Sequence, residues 1–313
     1  MFPIVTLTIN PALDVTVPVD KVVSGPKLRC GAARLDPGGG GINVSRVLHR
    51  LGVPTVALYA VGGLTGGRLR ALIDQEGFAH RPIAIAGETR QSFAAQERNT
   101  GRQYRFVLPG PELSANEWQG LLETTIELAE RTDLAVASGS LPPGVPDDFY
   151  ARLADALNER GVRLILDSSG PGLATTLARA HVHLVKPNIN EIVELAGEEL
   201  TWPEGQAEWA SGLIAQGRSD IVLVTHGADG ALVVSGDRRV RIKPPAMQVQ
   251  SAVGAGDSFT AGICAGLVRG QSVIEASALG MAAAAATMLS PGTELCHPLD
   301  VERLRPEIEI FDL

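Results

Sequence analysis

The stretch VHLVKPNINEIVELAG, residues 182–197, decides the fold class. Its opening, VHLVK, is an apolar run without a regular polar alternation, the pattern of a strand covered on both faces. Pro187 sharpens the turn that follows, and NEIVELAG then reads as a helix. The same strand-then-helix unit recurs on either side. LAVAS (134–138) leads into DDFYARLADALNERG, where Tyr150, Leu153, Ala154 and Leu157 share one helical face. Asp147 or Asp148 could cap that helix, and Gly161 could end it. VRLILD (162–167) and IVLVT (221–225) supply two more buried-type strands. Near the N-terminus, IVTLTI and TVALYAVG flank a helix predicted to begin at Gly41, with Val44, Val47, Leu48 and Leu51 at helical spacing. Continuous Val/Ile/Leu strands separated by helices imply a three-layer α/β domain, a mostly parallel sheet with helices on both faces.

Two segments break the rhythm. DVTVPVDKV and KLRCGAARL (14–35) alternate apolar with polar residues, and so do QSFAAQE and QYRFVL (91–108), joined by the turn residues Asn99, Thr100 and Gly101. Alternation means one covered and one wet face, so a small antiparallel β-sheet lid is expected. The expected division is an α/β catalytic domain from 1–13, 38–87 and 109–313, with the lid from 14–37 and 88–108. The lid segments hold eight Lys/Arg against five Asp/Glu, whereas the whole chain has a net charge of −8. That could be an anion-facing surface or ordinary solvated strand faces.

Bulk composition narrows the function classes. The chain has 313 residues, 45% hydrophobic and 20% charged, an ordinary globular balance with enough length for a large core. Its negative charge argues against a general nucleic-acid surface. Cys30, Cys264 and Cys296 lack CxxC spacing, which fits a reducing compartment. The opening MFPIVTLTIN reads as a strand without a basic leader, and MAAAAATML is too short to span a bilayer. A cytoplasmic protein with no membrane partner is therefore expected.

The chemistry centres on SAVGAGDSFTAG (251–262). Gly254, Ala255 and Gly256 lead into Asp257, and an apolar helix, DSFTAGICAGLVRG, follows. Asp257 could be a structural cap of that helix. Alternatively, the exposed N–H groups of the nearly bare turn form an anion hole for a transferring phosphoryl group, and Asp257 deprotonates the attacking hydroxyl. Ligand proximity would require the small residues; a cap would not. LDPGGGGINVSRVLHRLG (35–52) is a second bare-backbone candidate. It breaks GxGxxG spacing, which counts against a nicotinamide oxidoreductase, and no GxxxxGK[ST] occurs. In VKPNINE, Lys186, Asn188 and Glu191 gather at a strand end, suited to Mg²⁺ and phosphate or simply to a capped helix start. His181 and His183 have no further metal-ligand motif nearby, and Cys264 reads as core.

Together these residues resemble the ribokinase-like carbohydrate kinases of phosphofructokinase B type. The resemblance rests on TLTINPALD, PGGGGINVSRVL, TRQSF, QYRFVLPGPEL, SGSLPPGVP, DSSG, LVKPNINE, THGADGAL and VGAGDSFTAG, in order along nearly the whole chain. GPKLRC, PGGGGIN and YRFVLPG look most like the bacterial minor 6-phosphofructokinase branch. The resemblance implies a ribokinase-like fold with a β lid, a homodimer paired through the lids, MgATP as donor and a phosphorylated ketohexose as acceptor. It implies phosphorylation of the 1-hydroxyl of fructose 6-phosphate, with 1-phosphofructokinase and tagatose-6-phosphate kinase as near alternatives. By matched position, Asp257 is the base and Gly254, Ala255 and Gly256 the anion hole. Asp14, Gly39, Gly40, Gly41 and Asn43 would hold the sugar; Lys27, Arg29, Arg90, Arg105 and Ser140 would surround it and its phosphate. Lys186, Asn188 and Glu191 would serve the ATP phosphates and the Mg²⁺ water shell, and Thr225, His226, Gly227, Ala228, Asp229 and Gly230 would border the nucleotide. Ser251, Val253, Thr287, Ser290 and Gly292 match a loop that holds a further cation, K⁺. Two departures stand out: Thr225-His226-Gly227 replaces a more usual Ser-Gly pattern, and Ser251-Ala252 replaces Asp-Thr.

Overall fold

The structure, a computed structural model, describes residues 3–236 and 238–313. The chain opens with β1 (Ile4–Thr8), β2 (Ala12–Val19) and β3 (Arg34–Gly38), then α1 (Gly40–Arg50), β4 (Thr55–Val61), α2 (Gly63–Glu76) and β5 (Ala79–Ala84). β6 (Arg90–Glu97) and β7 (Gln103–Val107) precede α3 (Ala115–Ala129), β8 (Leu134–Ser138), α4 (Phe149–Asn158) and β9 (Arg163–Asp167). Next come α5 (Gly170–Arg179), β10 (Val182–Val185), α6 (Ile189–Ala196), α7 (Glu204–Ala215), β11 (Ser219–Thr225), β12 (Ala231–Ser235) and β13 (Arg238–Lys243). α8 (Ala255–Val268), α9 (Val273–Met288), α10 (Pro298–Leu304) and β14 (Glu309–Asp312) complete the chain.

Ten strands form one sheet in the order β14-β13-β12-β11-β10-β9-β8-β1-β4-β5. From β11 to β5 every pairing is parallel; β12, β13 and β14 add an antiparallel margin. Helices cover both faces, as the unbroken apolar strands require. α1, α8 and α9 bury one face through Val44, Val47, Leu48 and Phe259, and α3, α4 and α7 bury the other through Leu121, Leu153 and Ala210. A fully buried Val or Leu side chain stabilises the fold by roughly 1.5–3 kcal/mol, so these stripes hold the layers together. The strand order reverses at β1, which lies between β4 and β8. A crevice opens at such a switch point, beyond the carboxyl ends of the strands.

α8 and α9 cross at glycine. A Cβ on Gly262 would lie 2.6 Å from the Gly280 Cα, and one on Gly266 would lie 2.6 Å from the Ala276 Cα. The alanine-rich run of α9 thus lets a second backbone press α8 into place. Among the described residues, no helix is long and apolar enough to cross a membrane.

The second sheet runs β3-β2-β6-β7. The expectation of a wholly antiparallel lid needs correction, because β2 and β6 pair in parallel. Both strands leave the large sheet shortly after parallel members, β1 and β5, and so run the same way. KLRCGAARL does not form a strand along its length either; only Arg34 and Leu35 enter β3 (Arg34–Gly38), which pairs with β2 and sets Asp14 opposite Asp36. Residues 27–33 stay largely exposed ahead of β3, tied to β2 where the Gly31 N–H donates to the Pro18 carbonyl at 2.9 Å. The cap of α4 also differs from expectation. Asp148 stands at the N-cap position with near-helical backbone and makes no cap bond; its carboxylate pairs with Arg152 (2.9 Å) and Arg179 (3.6 Å). α1 begins at Gly40, one residue before the predicted start.

Candidate active site

Gly254 adopts a left-handed conformation (φ 78°) and starts α8. A Cβ there would also lie 2.5 Å from the Leu295 side chain, so the position is closed to other residues on two counts. Asp257 stands in the first turn and does not cap its own helix. Its Oδ2 accepts a hydrogen bond from Asn43 Nδ2 at 2.8 Å, across from α1. Gly40 belongs to the same junction: a Cβ there would lie 2.0 Å from Ser138 Oγ and 3.2 Å from Asp257 Oδ1. Bare backbone is therefore required where the two glycine-rich turns face each other. The first glycine cluster and Asp257, far apart in sequence, meet at the switch point.

These groups line a cavity of about 280 Å³. Its walls include Asp14, Gly39, Gly40, Asn43, Arg90, Arg105, Ser140, Glu191, Val253, Gly254 and Asp257. Burial, reinforced by the Asp167 charge, pushes the Asp257 carboxyl up to about 7, against the pull of Asn43 and Lys186. Burial likewise raises Asp14 to about 6, although Arg105 and Arg90 oppose it. Arg90 donates to the carbonyls of Leu108 and Asn10, each at 3.1 Å, while its buried Nε has no protein partner. Gly41 packs behind the site against the Leu7 carbonyl. Lys27 and Arg29 lie on the exposed 20–33 segment and do not line this cavity.

Lys186, just beyond β10, is 5% exposed and pairs with Asp167 at 3.0 Å. Burial works against its charge, but Asp167, with Asp257 and Glu191, holds its pKa above the usual lysine value. A Cβ on Gly256 would sit 3.5 Å from Lys186 Nζ, which places the cation beside the Gly254–Gly256 turn. Asn188 and Glu191 form a reciprocal capping box: Asn188 Oδ1 accepts from the Asn190 and Glu191 N–H groups, and Glu191 Oε2 accepts from the Asn188 N–H. The capped-helix alternative is thus present. Glu191 nonetheless also lines the cavity, and burial raises its carboxyl.

Thr225 ends β11 and pairs with Asn188 through an isolated bridge, while Gly227–Asp229 form a tight turn closed by Gly230. His226 stacks on Trp202 with ring centroids 4.3 Å apart. Gly227 and Ala228 border a larger, mainly apolar cavity of about 790 Å³, whose other walls include Pro244, Pro245, Met247, Val249 and Met288. The residues on the far side of β13 escaped sequence reasoning, since nothing in KPPAM marks a ligand wall. Asp167, Ser138, Ser168 and Ser169 were also missed as site residues. An acid ending a parallel strand beside the Lys186 strand was the available signal. The segment before α8 touches the end of α9, where the Gln250 N–H donates to the Met288 carbonyl at 2.8 Å; this brings Ser251 close to the Thr287–Ser290 turn. The Thr287 hydroxyl is already hydrogen-bonded to Ser258 at 2.6 Å.

The walls suit a phosphoryl donor and Mg²⁺: a buried cation, a carboxylate and bare N–H groups converge beside an apolar chamber. The chain is 46% identical over 300 residues to the ATP-dependent 6-phosphofructokinase isozyme 2 of Mycobacterium tuberculosis, covering 96% of this chain and 88% of that one. It is 37% identical to the Escherichia coli protein of the same name, covering 97% and 98%. The crystal structure of that phosphofructokinase-2 with substrates and products superposes with a TM-score of 0.93, at 36% identity over 97% of this chain and 98% of that one. The E. coli protein has also been solved with potassium and as a tetrameric inhibited form. A 1-phosphofructokinase of Bacillus subtilis is 33% identical, covering 99% of this chain and all of that one. With the profile of the pfkB family carbohydrate kinases matching residues 8–300, the chain belongs to that family.

Proposed function

We propose that this chain is an ATP-dependent 6-phosphofructokinase that phosphorylates the 1-hydroxyl of fructose 6-phosphate. The observation that carries the chemistry is Asp257: a half-buried carboxyl pushed up to about 7, at a bare helix N-terminus, facing a cavity that Arg90 and Arg105 line together with Asp14, Asp167 and Glu191. A base poised near the working pH keeps a useful ionised fraction and still binds a proton readily. Asp257 takes the hydroxyl proton as the oxygen attacks the terminal phosphorus of ATP, and the bond from that phosphorus to the β–γ bridging oxygen breaks to release ADP. The N–H groups of Gly254, Ala255 and Gly256 receive the charge developing on the phosphoryl oxygens. Asp14, Asn43, Gly39 and Gly40 orient the sugar, with Gly41 supporting the turn from behind. Arg90, Arg105 and Ser140 hold its existing phosphate, and Lys27 and Arg29 join them when the exposed segment closes. Water is excluded as the lid covers the site.

Lys186 screens the donor phosphates, Asn188 and Glu191 serve the metal's water shell, and Thr225, His226, Gly227, Ala228, Asp229 and Gly230 border the nucleotide. Mg²⁺, when bound, neutralises phosphate charge. Ser251, Val253, Thr287, Ser290 and Gly292 are proposed to hold K⁺ with backbone and hydroxyl oxygens. The α/β part (1–13, 38–87, 109–313) acts as the catalytic domain and 14–37 with 88–108 as the lid. Exposed Phe93, Phe106 and Val107 on the lid support pairing in a homodimer. The free cysteines suit the cytoplasm.

Substrate choice is tested by a coupled assay with fructose 6-phosphate, fructose 1-phosphate and tagatose 6-phosphate. The highest kcat/KM is expected for fructose 6-phosphate; a lower value than for either rival overturns the substrate assignment.

A further inference from the structure

A fully buried arginine stands behind the catalytic carboxylate. Arg46 lies one helical turn after Asn43 on α1 and is 2% exposed. Its NH1 donates to Asn43 Oδ1 at 3.2 Å and to the Pro37 carbonyl at 3.3 Å, just before the glycine cluster. Its Nε and NH2 approach Glu76 Oε1 at 2.8 Å and 2.6 Å, at the end of α2. Glu76 also lies 3.7 Å from Arg50 and borders a separate surface cleft with His49 and Asp36.

An asparagine amide can present either end to a neighbour, and only one end suits an ionised carboxylate. Asn43 Nδ2 donates to Asp257; the flipped amide would set oxygen against oxygen. A guanidinium donates only and never deprotonates, so it accepts only the oxygen end of the amide on its own side. We propose that Arg46, anchored by Glu76, is a positioning residue that fixes the Asn43 amide with its NH2 group toward Asp257. The same guanidinium ties down the Pro37 carbonyl, so one side chain sets both the glycine turn and the amide direction.

The chain Glu76–Arg46–Asn43–Asp257 reaches from the outer end of α2 to the reacting centre. The other charged groups facing Asp257 are Asp167 and Lys186 from the strand ends and Asp14 from the lid. None of them contacts the Asn43 amide through a hydrogen bond among the described residues. Without Arg46 the amide is free to flip, and Asp257 loses part of a hydrogen bond that favours its ionised form.

The inference rests on Asp257 as the base, so two readouts are taken on Arg46→Met, Arg46→Lys and Glu76→Gln. The first is the acid limb of kcat against pH with saturating fructose 6-phosphate and MgATP. The second is Asp257 ionisation, read from the pH dependence of stability with and without Asp257→Asn in each background. For Arg46→Met, both midpoints are expected to rise by about 0.5–1 pH unit, with kcat at pH 6.5 falling roughly three- to tenfold and the phosphosugar KM changing less than about threefold. Arg46→Lys, which keeps a cationic donor, recovers part of the shift, and Glu76→Gln, a milder change less prone to misfold, shows a smaller one. Unmoved Asp257 ionisation in both Arg46→Met and Glu76→Gln overturns the positioning role. If the ionisation moves while the rate limb stays, the positioning role stands and the reading of Asp257 as base fails.

Discussion

Replacing Asp257 by Asn should stabilise the ligand-free protein as pH rises while removing its turnover. The two side chains are nearly isosteric, and Asn can still accept from Asn43 Nδ2. What differs is titration. Folding raises the Asp257 pKa from 3.8 to about 7, mainly by burial. A carboxyl raised on folding contributes stability that is complete below pH 3.8 and is lost as pH climbs through 7. Between pH 5 and 8 the wild-type chain should lose about 2–3 kcal/mol on this account, at 1.36 kcal/mol per pK unit. Asn has no such titration, so the gap between variant and wild type should widen by that amount. With an unfolding entropy of about 2.1 cal/mol/K per residue, the gap in Tm grows by about 4 °C for a chain of this size. Calorimetry of both proteins without ligands at pH 5, 6, 7 and 8, at constant ionic strength, measures it. A gap that does not change with pH refutes the burial argument. In the coupled assay the variant should lose at least about a thousandfold in kcat, with sugar binding within several-fold of wild type. Retention of more than about a tenth of kcat refutes Asp257 as the base.

Arg90→Ala removes a guanidinium whose buried Nε has no protein partner. The KM for the phosphosugar should rise about tenfold or more, as for loss of a charge-assisted hydrogen bond, and an unchanged KM takes Arg90 out of the phosphate site. Gly262→Ala drives a methyl group against the Gly280 backbone at the crossing of α8 and α9. It should cost about 1–3 kcal/mol of stability in a denaturant titration, and an unchanged midpoint would contradict the close helix approach.

The layers and the bare glycine turns were legible in sequence for a local reason. LAVAS (134–138) forms β8 at those residues, and VHLVK, VRLILD and IVLVT each become a strand shifted by no more than two residues at either end. Buried strands must be apolar throughout, and covering helices must carry a 3.6-residue stripe, so neither pattern needs distant information. VGAGDS likewise announced a bare helix start followed by an acid. The lid was read less well. KLRCGAARL alternates as a strand does, yet only Arg34 and Leu35 enter β3 while the residues before them touch β2 through the Gly31 N–H, because alternation says nothing about where pairing stops.

The sequence by itself determined the α/β layering, the bare turns at Gly39 to Gly41 and Gly254 to Gly256, and the acid beside them, because each follows from local sterics and periodicity. Even the spacing of Asn43 and Arg46 was there to read, one turn apart on a helix. Only the tertiary structure decided that Asn43 donates to Asp257, that Asp167 pairs with Lys186, and that Glu76 holds Arg46. Those partners lie far apart in the chain, and the strand reversal at β1 together with helix packing brings them together. Burial then gives the contacts their force, since the Asp257 carboxyl is pushed up to about 7 only once the fold has taken it partly out of water.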